Sequence, residues 1–339
     1  MISVVMPTYN TNLRLLTEAI QSILDQTFAD FEFLIVDDGS TNGTGSWLDS
    51  LSDPRIRIIH NDHNLGPTKS MNIGFREAKG KYIARMDADD ISLPERFQKQ
   101  YYFMEYHPDI IVCGARAKLA GIQCNNTVSP PYPQLDELQA KLVFSNCAMR
   151  HSTAFFRHSA VEKHCLFYDE SLRYAQDYAM WVKASRCGKI SCVQEILLQY
   201  HTHDEQISKL HREEQILCDK VTQKKLLEEL IGSVTDEELD RHYFWSTGYY
   251  PDAKMTQDAK EWYDRLICAN RYKKIYKPEV FEKVVHQKIL NLIYQTMEPG
   301  TSKWTKAQLF YQYLPFTLAT QEVAQIIGTK IKKRISVGN

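Results

Sequence analysis

The first 120 residues alternate short apolar runs with segments of helical periodicity, and this alternation limits the possible folds more than any other feature of the chain. The apolar runs are rich in β-branched residues and have the length of buried strands. Between the first two runs, Leu13, Leu16 and Ile20 recur at helical spacing. The strand candidates are 2–6, 31–36, 55–60, 82–86 and 110–114. Strands that alternate with helices form right-handed βαβ units, so we predict an α/β fold with a mostly parallel sheet and flanking helices.

The pattern changes to a purely helical one beyond residue 209. The helical candidates are 210–231, 235–244, 258–272 and 278–297. Charge changes at the same place: residues 1–208 carry 20 Lys/Arg and 25 Asp/Glu, whereas residues 209–339 carry 21 and 17. We therefore predict an α/β domain over residues 1–209 and a helical domain over residues 210–339.

Composition argues against several classes of protein. The net charge of −1 gives no signal for a nucleic-acid partner. None of the eight cysteines forms a Cys-x-x-Cys pair, which disfavours a zinc ribbon or a thioredoxin-type site. No signal peptide and no apolar run of membrane-spanning length is visible. We expect a cytoplasmic protein with reduced thiols.

Two acidic segments follow predicted strands, at positions where a parallel sheet binds its ligands. Asp87-Ala88-Asp89-Asp90 follows one strand, and Asp37-Asp38-Gly39-Ser40 follows another. Ligands bind beyond the carboxyl ends of such strands, so both segments are predicted to lie at one edge. Carboxylates bind divalent cations, which stabilise a departing diphosphate. Each segment alone is also typical of a solvated turn, but the shared edge favours a single site.

Two later segments carry further candidate groups. Asp177 precedes an amphipathic helix, where a carboxylate is suited to be a general base toward an acceptor hydroxyl, or is simply a helix N-cap. His201 and His203 lie two apart on a predicted strand and so share one face. A neutral histidine there is either a metal ligand or a structural hydrogen-bonding group. The residues alone leave these alternatives open.

These segments occur in the order found in family 2 glycosyltransferases, and the first 210 residues resemble that family and its GT-A fold. The matching segments are Val4–Asn10, Ser22–Phe28, Val36–Thr41, Asn64–Gly66, Asn72–Gly74, Gly80–Arg85 and Met86–Asp90. Several motifs in register are more specific than any single acidic cluster. The resemblance implies that residues 1–209 are a GT-A catalytic domain and that residues 210–339 are an appended helical domain.

The resemblance also implies roles for individual residues. A uridine pocket would comprise four residues, namely Pro7, Thr8, Tyr9 and Asp38. Asp87-Ala88-Asp89 would be the DxD motif, with Asp87 at the ribose and Asp89 at Mn²⁺ or Mg²⁺. Asp177 matches the family's catalytic base. His203, followed by Ser208, matches a Tyr-Arg-x-His pattern and is a candidate metal ligand.

The chain departs from the family pattern at three places. Gln176 stands before the base where Glu is frequent, and His201 replaces the usual Arg after Tyr200. The Ala-Arg-Asn segment common before the DxD strand reads 70–72 Ser-Met-Asn, so we expect Lys69 to supply the missing positive charge to the diphosphate.

The resemblance implies an inverting, metal-dependent transferase that moves a sugar from a UDP-sugar donor to a saccharide or lipid-linked oligosaccharide acceptor, in the assembly of capsule, O-antigen or another surface glycan. The basic cluster 330–334 suits peripheral contact with anionic lipid at the inner face of the membrane, and equally suits a frayed terminus.

Two alternatives compete with this function. A sugar-phosphate nucleotidyltransferase needs a glycine-rich loop after the first strand, and the loop 7–12 has no glycine. A non-catalytic nucleotide-sugar-binding protein has no need of the intact set of acidic residues.

Overall fold

The computed structural model describes residues 1–121, 128–146, 149–202, 210–248, 250 and 253–324. The chain divides into two compact units. The first comprises Met1–Leu138 and Asn146–Thr222, and the second gathers Gln139–Ser145 and the described residues from Gln223 on. The predicted domain division between residues 209 and 210 remains a prediction.

The first unit is built on an eight-stranded sheet with the order β3-β2-β1-β4-β7-β6-β8-β5. Its strands are β1 (Ile2–Thr8), β2 (Phe31–Asp37), β3 (Ile56–His60), β4 (Tyr82–Arg85), β5 (Ile91–Ser92), β6 (Ile110–Gly121), β7 (Phe155–Arg157) and β8 (Lys189–Thr202). The four strands β1 to β4 are parallel to one another. β7 is antiparallel to both β4 and β6, whereas β6 and β8 are parallel. The sheet is therefore mixed. Four of the predicted strands form its parallel half, and the fifth, 110–114, lies in β6.

Helices of the first unit flank this sheet. They are α1 (Leu13–Leu24), α2 (Thr44–Asp49), α3 (Pro67–Glu77), α4 (Arg96–Tyr106), α6 (His158–His164) and α7 (Gln176–Cys187), with α5 (Leu135–Leu142) reaching into the second unit. The start of α1 is fixed by Asn12, whose side chain accepts a hydrogen bond from the Arg14 backbone N–H. Helix α3 packs closely on β1, because a Cβ added at Gly74 would lie 2.2 Å from a methyl group of Val5.

The second unit is helical and has its own apolar core. Its helices are α8 (Arg212–Ile231), which begins in the first unit, α9 (Asp236–Ser246), α10 (Gln257–Lys273), α11 (Pro278–Thr296) and α12 (Lys303–Tyr313). Thr235 and Glu238 form a reciprocal capping box at the start of α9. Buried side chains from these helices, including Leu266, Phe281 and Ile289, form one cluster. Among helices in the described ranges, none is both long and apolar enough to cross a membrane.

A buried histidine in this helical core is held in its neutral form. His242 is fully buried, and its Nε2–H donates to the Val143 carbonyl oxygen at 2.9 Å. Its Nδ1 accepts a hydrogen bond from Trp262 Nε1–H at 3.0 Å. A second ring proton would face the indole N–H, and burial lowers the pKa of His242 to about 4.

Candidate active site

Both acidic segments leave the sheet at the same edge, as predicted. In the β1–β2 pair Thr8 lies opposite Asp37, so the loops that follow them emerge side by side. In the β1–β4 pair Val5 lies opposite Arg85, and the segment Asp87–Asp90 therefore emerges next to the loop after β1. These three parallel strands are adjacent in the sheet. Their carboxyl ends form the kind of crevice in which open α/β sheets bind ligands.

The loops after β1 and β2 are tied to each other by Asn10, which has a left-handed backbone conformation with φ of 49°. Its backbone N–H donates to Ser40 Oγ at 2.9 Å, and its Oδ1 accepts from the Thr41 backbone N–H at 2.8 Å. Beside it, the side chain of Tyr9 is 45% exposed and that of Thr8 is buried. The exposed ring of Tyr9 is thus available to a ligand in this crevice.

Asp38 organises the turn that leads into α3. It is only 2% exposed. Its Oδ1 accepts hydrogen bonds from Asn61 Nδ2 at 2.8 Å and from the Leu65 backbone N–H at 2.9 Å. Its Oδ2 accepts from the Gly66 backbone N–H at 2.8 Å. A carboxylate offers about four lone-pair positions, so these three bonds leave one position on Oδ2 for a ligand.

Three carboxylates converge in the loop after β4. One ligand oxygen from each of Asp87, Asp89 and Asp90 lies within 4.8 Å of the others. Asp90 is fully buried. Burial and the neighbouring charges of Asp87 and Asp89 raise the pKa of Asp90 well above its usual range. Such crowded carboxylate oxygens suit a hard divalent cation, whose charge would offset their repulsion.

Contacts from Arg85, Ser152 and His201 hold the segment Asp87–Asp90, which carries this acidic triad, in place. Arg85 is buried and forms a bidentate ion pair with Asp87, with N–O distances of 2.6 and 2.5 Å. Ser152 Oγ lies 2.6 Å from Asp87 Oδ2 and also contacts Asp90. The His201 backbone N–H donates to Asp90 Oδ1 at 3.0 Å, and its ring Nδ1–H donates to the Asp89 carbonyl oxygen at 2.6 Å.

Asp177 lies in the first turn of α7, after Ala175, whose left-handed backbone has a φ of 52°. Its Oδ2 accepts a hydrogen bond from Asn146 Nδ2, and its Oδ1 accepts from the Tyr178 backbone N–H, both at 2.9 Å. Burial raises the pKa of Asp177, while these hydrogen bonds and the charge of Arg85 lower it in part. A carboxylate with a raised pKa is a stronger base once ionised.

Asp177 and the acidic triad belong to one electrostatic neighbourhood. The guanidinium of Arg85 pairs with Asp87 and also acts on the pKa of Asp177. Burial raises the pKa of Tyr168, and the charges of Asp177 and Asp87 raise it further. The hydroxyl of Tyr168 contacts His151 Nε2 at 2.7 Å. Asp177 and Asp87 are thus within electrostatic range of the same two side chains, Arg85 and Tyr168, although 90 residues of sequence separate them.

The remaining predicted site residues lie at the margin of this crevice or beyond the described chain. Lys69 is exposed in the first turns of α3. It lines a cleft of about 280 Å³ whose other walls include Gly66, Pro67, Glu170 and Arg173. Pro7 is half-buried at the end of β1. His203, Ser208 and the basic cluster 330–334 lie outside the described residues.

Three residues of this site were missed by sequence reasoning. Ser152, Asn146 and Arg85 hold the acidic triad or Asp177 through side-chain contacts. Arg85 was visible only as part of a strand motif. Asn146 and Ser152 lie in or just after a stretch without periodicity, and the sequence carries no local signal for their role.

Comparison with known proteins gives consistent matches. Residues 3–165 match the family model described as Glycosyl transferase family 2. An uncharacterized glycosyltransferase of Haemophilus influenzae is 32% identical over 225 residues, covering 63% of this chain and 69% of that protein. An uncharacterized glycosyltransferase of Methanocaldococcus jannaschii is 34% identical over 221 residues, covering 63% of this chain and 75% of that protein.

Solved structures share the fold. The crystal structure of residues 1–349 of S. aureus TarS in complex with UDP-GlcNAc matches with a TM-score of 0.57 and 18% sequence identity, and covers 93% of both chains. Another TarS crystal structure matches with a TM-score of 0.54 over 87% of this chain and 54% of that one. The present chain therefore spans about half of that longer chain. The likeness supports the predicted GT-A architecture with C-terminal helices.

Proposed function

This chain belongs to glycosyltransferase family 2, and from that premise we propose that it transfers a sugar from a UDP-sugar to a saccharide acceptor, with inversion and with a divalent cation. The observation that carries this proposal is that Asn146 and Ser152, six residues apart, hold the two groups: Asn146 donates to Asp177, and Ser152 contacts Asp87 and Asp90. It supports a base and a leaving-group site close to one reacting carbon. Family membership favours glycosyl transfer over the nucleotidyltransferase and the non-catalytic alternatives.

The nucleotide is proposed to bind across the ends of β1, β2 and β4. Tyr9 and Thr8, with Pro7, would contact the uridine, and the remaining position on Asp38 Oδ2 would accept the uracil imide N–H. Asp87 Oδ2 already accepts from Arg85 and Ser152, whereas among the described residues its Oδ1 accepts from Arg85 alone and can take a ribose hydroxyl as well. That TarS was crystallised with UDP-GlcNAc supports this class of donor.

The acidic triad fits a divalent cation, because its oxygens are hard ligands and lie close together. We propose that Asp89 is the main protein ligand for Mn²⁺ or Mg²⁺, and that His203 adds a nitrogen ligand. A bound cation supplies positive charge to the departing diphosphate. The His201 ring holds the Asp89 backbone by a hydrogen bond, and Asp90 is fully buried.

Asp177 is proposed to be the general base. Its carboxylate accepts the proton of an acceptor hydroxyl as the hydroxyl oxygen attacks the anomeric carbon, and UDP leaves from the opposite face. Asn146 and the Tyr178 N–H fix the carboxylate in one orientation. A positioned base of this kind contributes about 10² to 10⁴ in rate.

The acceptor is proposed to be a saccharide or a lipid-linked oligosaccharide in surface-glycan assembly. The basic cluster 330–334 would hold the enzyme at the inner face of the cytoplasmic membrane, where each cation adds about 1 kcal/mol on anionic lipid. The exposed aromatic side chains of Trp304 and Phe316 in the helical unit support such a contact. Flotation with anionic vesicles, with and without residues 329–339, tests this part.

A donor screen tests the proposed reaction. The full-length protein is incubated with a set of UDP-sugars, with Mn²⁺ or with a chelator, and UDP release is measured. We expect Mn²⁺-dependent release with one sugar, and faster release when the correct acceptor is added. Release of pyrophosphate from UTP and a sugar phosphate would instead identify a nucleotidyltransferase. Absence of turnover with every donor and acceptor would contradict the proposed function.

A further inference from the structure

We propose that Arg150 binds the diphosphate of the nucleotide-sugar and offsets its charge as the sugar departs. This inference rests on the proposed function, since it assigns a further residue to the same site. It differs from the expectation drawn from the sequence, in which Lys69 supplied this charge.

Arg150 lies on a short segment that contacts both halves of the site. On its N-terminal side, Asn146 donates to the Asp177 carboxylate. On its C-terminal side, Ser152 contacts Asp87 and Asp90. A residue between these two anchors is close to the space that separates Asp177 from the acidic triad. That space is where the proposed reaction would leave a diphosphate.

The position of Arg150 is fixed by contacts that leave its charge accessible. Its backbone N–H donates to the Tyr132 hydroxyl at 3.0 Å, and its carbonyl accepts from the Thr153 N–H at 2.9 Å. Its guanidinium carbon lies 4.8 Å from the centre of the Tyr200 ring. An arginine stacked on an aromatic face keeps the N–H groups along its edge for a planar or tetrahedral anion, and phosphate is a preferred partner.

Tyr200, on whose ring Arg150 stacks, is within electrostatic range of the acidic triad. Burial raises the pKa of Tyr200 to about 12, with the charges of Asp90 and Asp87 adding to the effect and that of Arg150 opposing it. The next residue, His201, donates from its backbone to Asp90. Tyr200 is thus in contact with the guanidinium and is followed directly by a residue bonded to the triad. The β8 strand therefore links Arg150 to the candidate metal site, and among the described residues Arg150 forms no ion pair with the triad.

Two other arginines near the triad are already committed to the protein. Arg85 uses both terminal nitrogens on Asp87. Arg96 is fully buried and donates to Gln100 Oε1, to the Arg85 carbonyl oxygen and to the Met86 sulfur. For Arg150 the described residues include no carboxylate within ion-pair distance of the guanidinium. It is therefore the arginine of this group whose charge is best placed to meet an anionic ligand.

The alternative cation, Lys69, faces a different group. It lines the cleft next to Glu170, and its charge helps to lower the pKa of that carboxyl. The ring of His201 is also engaged, since Nδ1–H donates to the Asp89 carbonyl oxygen. Neither residue has the open, ring-supported geometry of Arg150.

Calorimetry with UDP and with uridine tests this inference on the full-length protein, in chelator and in Mn²⁺. The variants are Arg150→Ala, Arg150→Gln and Arg150→Lys. The matched control is Arg241→Ala, which removes an exposed arginine of the helical unit that pairs with Glu237. We expect Arg150→Ala and Arg150→Gln to weaken UDP binding by about 10- to 100-fold while uridine binding stays within about twofold. Arg150→Lys should recover only part of the loss, because an ammonium cannot bind two phosphate oxygens in a fork.

Four outcomes decide the matter. Selective loss of UDP affinity in the Ala and Gln variants supports the inference. UDP affinity equal to that of the parent in both variants overturns it and leaves the proposed function intact. Equal losses for UDP and uridine, accompanied by a lowered melting temperature, show a structural role for Arg150 and also overturn it. If the parent protein binds no UDP, the proposed function fails first and this inference fails with it.

Discussion

Replacing Asp177 by Asn removes a proton acceptor and changes little else at this position. Asn has the same shape, and its carbonyl oxygen can still accept from the Tyr178 N–H, which lies 2.9 Å from Asp177 Oδ1. The new amide group would face Asn146 Nδ2, and rotation of the Asn146 amide restores a hydrogen bond. The half-buried site should therefore keep its structure, and folding stability should change by less than about 1 kcal/mol.

The expected loss is in the rate of transfer. A positioned general base contributes about 10² to 10⁴, which is about 3 to 5 kcal/mol of transition-state stabilisation. UDP affinity should stay the same or rise slightly, since one negative charge near the diphosphate is removed. Initial rates of UDP release are measured with the best donor and acceptor, beside calorimetric titration of UDP and a thermal melt.

The refuting result is specific. If Asp177→Asn transfers sugar at the parental rate while its melting temperature and UDP affinity are unchanged, Asp177 is not the base. A loss of rate accompanied by a loss of folding would leave the chemical role unsupported, and the melt distinguishes that outcome from a catalytic effect.

The remaining predictions address pH, metal and packing. Asn146→Ala removes a hydrogen bond that lowers the pKa of Asp177, so the acidic limb of the pH–rate profile should move to higher pH, with activity recovering in alkaline buffer. Asp89→Asn should abolish the Mn²⁺-dependent increase in UDP affinity and leave uridine binding in chelator unchanged, as calorimetry would reveal. Gly74→Ala forces a methyl group into β1 and should reduce the free energy of unfolding by about 1 to 3 kcal/mol in urea titrations. Burial lowers the pKa of His242 to about 4, so the unfolded protein binds a proton at this residue between about pH 6.5 and 4 while the folded protein does not. The free energy of unfolding should therefore fall by about 3 kcal/mol from pH 7 to 4, and His242→Gln should reduce this pH dependence.

Each of these predictions has an outcome that contradicts it. If the acidic limb of the pH–rate profile does not shift in Asn146→Ala, Asn146 does not lower the pKa of the catalytic base. If UDP affinity in Asp89→Asn depends on Mn²⁺ as in the parent, Asp89 is not the metal ligand. An unchanged urea midpoint for Gly74→Ala would contradict the close packing of α3 on β1, with Arg76→Ala as the control on the same helix. If the free energy of unfolding depends equally on pH in the parent and in His242→Gln, groups other than His242 cause the acid sensitivity.

The parallel half of the sheet was predictable because its signals are local. The run from Ile2 to Met6 is apolar at nearly every position, and β1 is buried on both faces. Asp38 and Asp87 follow such runs directly, so the topology of βαβ units was enough to bring them to one edge. Helices α8 to α11 were also predicted, because their apolar residues recur at helical spacing. Helix α12 was not predicted, because its apolar residues form no such pattern.

The antiparallel strand pairs and the residues that contact the site carboxylates were not predictable in this way. β7 has only three residues, and it inserts between β4 and β6 through pairing that no sequence periodicity encodes. Ser152 contacts Asp87 across 65 residues of chain. Arg150 gains its proposed role from stacking on Tyr200, a contact set by the sheet rather than by neighbours in sequence. Such long-range contacts leave no local pattern for sequence reasoning to detect.

The most direct test of the central claim is a crystal structure with UDP and Mn²⁺, with the metal located by its anomalous scattering. We expect one manganese peak that joins an Asp89 carboxylate oxygen to the diphosphate, with uridine at Tyr9 and Asp38 and with the β-phosphate on the side that faces Asp177. UDP bound away from the ends of β1, β2 and β4, or manganese bound apart from the acidic triad, would contradict the claim.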